Sequence, residues 1–84
     1  MDTVDPICLA RVRQLAASGE AKATRLRSGL SLREVAAGVG VSDTTVLRWE
    51  GGTHAPHGEA AVAYLGVLDQ LAGVDADPAR GVVE

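Results

Sequence analysis

The sequence predicts an all-α protein, a single small bundle of about five helices. Three observations carry that expectation. A length of 84 residues suffices for one core and not for two, since units below roughly 40 residues rarely hold together without staples. Trp49 and Tyr64 are the whole aromatic complement and Phe is absent, which leaves Leu, Val, Ala and Ile to build the core and disfavours a sheet. Apolar residues also recur at steps of three and four between glycine-marked breaks, the period of a helix with one buried face. The share of hydrophobic residues, 46%, and of charged residues, 23%, is that of an ordinary globular chain.

The first helix is expected over residues 6 to 17. Asp5 can cap it, and Pro6 sits at the first helical position, where a missing N–H costs nothing. Cys8, Val12, Leu15 and Ala16 form its apolar stripe, with Arg11, Arg13 and Gln14 off it. Ser18-Gly19-Glu20 reads as a stop and restart with Ser18 as a candidate N-cap, opening a second helix from Glu20 to Ser28; alternatively Gly19 lies inside one long helix at a cost of about 1 kcal/mol. After Gly29, Ser31-Leu32-Arg33-Glu34 fits a capping box and starts a helix from Leu32 to Gly38 with Leu32, Val35 and Ala36 inward. Gly40 turns the chain, Ser42 caps the next helix from Asp43 to Glu50, and Gly51-Gly52 ends it. Thr53 to Pro56 is a loop. The last helix, His57 to Ala72, carries Ala61, Tyr64, Leu65, Leu68, Leu71 and Ala72 on one stripe, with Val62, Ala63 and Val67 beside it, and Gly73 is expected to end it.

Charge is distributed unevenly. The formal net charge is −3, yet seven of the eight basic residues fall between residues 10 and 49, opposed there only by Glu20, Glu34 and Asp43. An acidic chain thus carries a basic middle, a pattern that points to nucleic acid. No apolar run approaches the 18 or so residues of a membrane span, and the N-terminus lacks the order of a signal peptide, so a cytoplasmic location is expected. Cys8 stands alone and cannot form an internal disulfide; on its apolar stripe it reads as a small buried hydrophobe. His54-x-x-His57 is a poor metal pair, because Pro56 breaks the helix that would align it and no third ligand lies near. No Ser/His/Asp or Cys/His grouping and no phosphate-cradling glycine loop is present, so no enzyme, metal or cofactor is expected.

Two short helices joined by a glycine-centred turn have the layout of a helix-turn-helix. In the second, the 3.6-residue period sets Asp43, Thr44, Leu47 and Arg48 on one face and Val46 and Trp49 on the other. A recognition helix presents its outer face to base edges. Arg48 suits guanine O6 and N7, Thr44 a base or phosphate, Leu47 a thymine methyl and Asp43 cytosine N4, although Asp43 also suits the helix dipole. Ser31, Arg33, Ser42 and Thr45, at the helix N-termini, and Thr53, His54 and His57, in the following loop, are candidates for backbone phosphates.

The run LSLREVAAGVGVSDTTVLRWEGGTHAP, residues 30 to 56, resembles the Cro and phage-repressor type (XRE-like) helix-turn-helix family. Ala36 matches the small residue where the two helices touch, Gly40 the turn glycine, Val41 and Val46 the buried apolar positions, and Arg48-Trp49-Glu50-x-Gly52 the end of the recognition helix. The resemblance implies an ion pair between Arg25 and Glu50 and backbone contacts from the loop after the recognition helix. It covers roughly residues 20 to 72, departing from the commoner pattern in an extra N-terminal helix and one long helix after the loop. Residues 1 to 84 therefore read as one domain: 5 to 18 the extra helix, 20 to 72 the helix-turn-helix core, 74 to 84 a loose tail. The resemblance implies a double-stranded DNA-binding transcriptional regulator occupying an operator. The second apolar strip of Val62, Ala63 and Val67 on the last helix, and the few base pairs one motif reads, predict a homodimer through that helix, at least on DNA. No small-molecule ligand and no membrane partner is expected. The alternative is an antitoxin-type protein that also grips a protein partner with its acidic C-terminal half.

Overall fold

The computed structural model describes residues 5 to 76, with side chains described to residue 73. Five helices follow one another: α1 (Pro6–Ser18), α2 (Glu20–Arg27), α3 (Leu32–Val39), α4 (Asp43–Gly51) and α5 (Gly58–Ala76). Their starts are fixed by local chemistry. Asp5 is extended and its carboxylate accepts the Ile7 amide at 2.9 Å, directly ahead of Pro6. At α3 both halves of the capping box form: the Glu34 amide donates to Ser31 Oγ at 3.0 Å and the Ser31 amide to Glu34 Oε1 at 2.8 Å. Hydrogen bonding to its carboxylate from the Ser31 backbone amide, and after it from the Ser31 side chain, holds the Glu34 carboxyl below its ordinary value. Ser42 Oγ likewise accepts the Thr45 amide at the start of α4.

The break between α1 and α2 is real. Gly19 adopts φ +91°, a left-handed conformation that strains any side chain and cannot continue a helix. Gly19 itself holds the N-cap position, and Ser18, expected there, instead ends α1 and accepts the Glu20 amide at 3.3 Å. Ser28, expected as the last residue of α2, lies just past it: Leu30 N–H returns to Arg25 O and Gly29 N–H to Leu26 O, the paired bonds of a Schellman turn.

The core is built from Val12, Ala16, Ala21, Val35, Ala36, Val46, Trp49, Ala61, Tyr64, Leu65 and Leu68, with Cys8, Leu9, Leu15, Leu32, Val41 and Val67 half-buried at its margin. α5 lies against α1, α2 and α3, while α3 and α4 pack on each other and α1 closes on α4. Trp49 and Tyr64 meet at the centre, ring centroids 4.7 Å apart and tilted by 37°.

The expected bounds of the last helix and the placing of two of its residues are corrected. It begins at Gly58, not His57, and runs through Gly73 to Ala76, because one interior glycine costs only about 1 kcal/mol and does not stop a helix that is otherwise packed. The supposed tail from 74 thus begins as helix, and residues 77 to 84 lie outside the described residues. Ala72, assigned to the buried stripe, is exposed. Val67, assigned to a spare outer strip, is half-buried and faces α3: its Cγ2 lies 3.8 Å from where a Cβ on Gly38 would stand, an ordinary van der Waals distance. Val62 remains exposed on α5 and Ile7 on α1.

Candidate nucleic-acid interface

α3 and α4 are set by a turn with its own ladder of bonds. Gly40 takes φ +93°, and the Gly40 and Val41 amides both donate to Ala36 O, at 2.8 and 3.1 Å. The chain thereby turns within the three residues between α3 and α4, and the buried Ala36, Val46 and Trp49 lie on the inner sides of the two helices. α4 then has two unlike faces. Asp43, Thr44, Leu47 and Arg48 are all exposed, as the period predicts, and Leu47, a long aliphatic side chain, is 54% exposed.

The far end of α4 is anchored twice. Arg25 on α2 donates from Nε to Glu50 Oε2 at 2.6 Å, from Nη2 to Glu50 Oε1 at 3.0 Å, and from Nη1 to Leu30 O at 2.9 Å. The hydrogen bond to the carboxylate outweighs desolvation and raises the Arg25 pKa above its ordinary value. The expected ion pair is therefore present, and it fixes α4 to α2 and to the start of the α3 connection. Thr53 Oγ1 and the Thr53 and His54 amides all donate to Arg48 O, capping the end of α4.

The candidate backbone residues fall into two groups. Ser31 and Arg33 are exposed at the N-terminus of α3, and Ser42 at that of α4. Ser42 Oγ and the half-buried Thr45 Oγ1 are 2.9 Å apart, a hydroxyl pair that uses one of its two O–H hydrogens and leaves the other for an outside acceptor. Thr53, His54 and His57 are exposed in the loop, with His54 Nδ1 at 3.4 Å from Thr53 Oγ1. His54 and His57 join Thr45, Arg48, Trp49 and Ala55 around an open cleft of about 370 Å³. The company of Arg48 makes that cleft a setting for an anion and a poor one for a metal cation. Among the described residues no group of three or more His, Cys, Asp or Glu is placed to hold an ion, and no helix is long and apolar enough to cross a membrane.

Sequence reasoning missed Arg13. Off the α1 stripe it reads as a solvated arginine, yet its Nε donates to Pro56 O at 2.9 Å, which brings α1 to the loop after α4. The residues are 43 apart in sequence, and no local pattern signals the contact.

The family model described as "Helix-turn-helix domain" matches residues 10–80 of the chain. No curated protein and no solved structure matches it.

Proposed function

We propose, from the premise that this chain belongs to the helix-turn-helix domain family, that it is a sequence-specific double-stranded DNA-binding regulator of the Cro or phage-repressor type, with α4 as the helix that enters the major groove. The observation that carries this reading is the two-faced α4: Thr44, Leu47 and Arg48 stand exposed on one side while Val46 and Trp49 are buried on the other. Arg48 reads guanine through O6 and N7, Leu47 a thymine methyl, Thr44 a base edge or phosphate, and Asp43 a cytosine amino group. Ser31, Arg33, Ser42, Thr45, Thr53, His54 and His57 hold the backbone on both flanks. Control follows from occupancy of an operator, with no chemical step and no cofactor. A single motif reads few base pairs, so two copies on a palindrome with half-sites about 34 Å apart complete the site.

Selection of bound duplexes from a random DNA pool tests this. Recovery of one enriched motif with two-fold symmetry is expected. Enrichment of nothing over the starting pool, at low salt where phosphate contacts are strongest, would overturn the reading.

A further inference from the structure

We propose that Arg13, on α1, is a further contact to the DNA backbone, so that the interface continues past α4 and its loop onto the N-terminal helix. The proposal rests on the DNA-binding reading above. Three observations support it. Arg13 is exposed, and its one side-chain hydrogen bond among the described residues, Nε to the carbonyl of the buried Pro56, fixes the guanidinium at the loop while leaving the Nη donors unused by any described residue. That edge is the one that pairs with two oxygens of a phosphate. Arg13 also lines a small cleft with His54 and Ala55, and these two residues are shared with the larger cleft that holds Arg48 and His57. The result is a band of cationic and imidazole side chains, Arg48, His57, His54 and Arg13, in which neither cleft is lined by an Asp or Glu.

The third observation is how the other arginines are paired. Arg11 is joined to Asp69, Arg25 to Glu50 and Arg27 to Glu20. Arg13, Arg33 and Arg48 have no carboxylate partner among the described residues. Arg11 and Arg13 are two positions apart on one helix, yet only Arg11 is paired with a carboxylate among the described residues.

The test is a salt series of fluorescence-anisotropy titrations on a selected duplex and a scrambled one, with wild type, Arg13→Gln and Arg13→Lys. Glutamine keeps a donor for Pro56 and removes the charge; lysine keeps the charge. Arg13→Gln is expected to bind both duplexes more weakly by the same factor, with a salt slope shallower by about one, so that the ratio of wild-type to variant affinity shrinks about 3.5-fold between 50 and 200 mM salt. Arg13→Lys is expected to keep the wild-type slope. Wild-type affinity and slope in Arg13→Gln, or equal weakening in both variants at an unchanged slope, would overturn the proposal, the latter making Arg13 a support for the loop alone. Failure of the wild type to bind any selected duplex would instead remove the DNA-binding reading itself.

Discussion

Arg25 and Glu50 face each other edge to edge, guanidinium against carboxylate, with side chains only 10% and 3% exposed. Removing one partner strands the other charge in the core, at a cost of about 3 to 5 kcal/mol. Glu50→Ala and Arg25→Ala are each expected to lower the unfolding free energy, measured by denaturant titration, by about that amount, whereas replacing the pair together by Leu and Met is expected to cost less than the two single losses added. Additive losses in a double-mutant cycle would show that the two side chains do not act as a unit.

Trp49 is 3% exposed and packed against Tyr64, so Trp49→Ala is expected to cost about 3 to 5 kcal/mol, a large part of what a domain of this size has to lose. Native emission should be blue-shifted and should redden on unfolding. Red emission from the native protein would contradict the packing.

Tyr64 carries its hydroxyl into the core without a hydrogen-bond partner among the described residues, and burial pushes its pKa up to about 12 from the ordinary 10.0, with Glu50 adding to the shift and Arg25 opposing it. The folded state therefore holds the phenol proton more tightly than the unfolded chain does. Stability is full below pH 10 and falls as the pH rises toward 12, by an amount on the order of 2 to 3 kcal/mol. Tyr64→Phe is expected to remove most of that alkaline loss and, having no orphaned hydroxyl to desolvate, to be at least as stable as wild type at pH 7. A clear loss of stability in Tyr64→Phe at neutral pH would mean the hydroxyl has a partner after all.

Arg48 and Arg33 are expected to separate by the kind of contact each makes. Arg48→Ala should lose about 1 to 3 kcal/mol on the selected site and relax preference at one base position. Arg33→Ala should weaken binding to every sequence alike and flatten the salt slope by about one. Reselection from a random pool with each variant distinguishes them; an unrelaxed motif with Arg48→Ala would take Arg48 out of base readout.

The parts of this architecture legible in the sequence are those decided within a few residues. Asp5-Pro6, the Ser31–Glu34 box and the Ser42 cap are closed by bonds spanning two or three positions, and the exposed face of α4 follows from the helical period alone. The setting of α5 was less legible. Apolar residues occur all round it, so which of Val62, Ala63 and Val67 turns inward is decided by a neighbour, and Val67 does so against Gly38, a residue on another helix. Arg13 escaped for the same reason, since its partner is a carbonyl oxygen brought near only by the fold. Gly73 misled because a glycine marks a helix end only where packing does not carry the helix past it.

The docking of α5 on three earlier helices sets an order of events during synthesis. At about 5 to 20 residues per second, the ribosome needs roughly one to three seconds to pass from the end of α4 to Leu68. Over that interval Trp49 has no Tyr64 to stack on, and the two helices of the motif exist as sequence before the core that holds them. A chain cut short before Tyr64 therefore has the whole recognition helix and no bundle to present it.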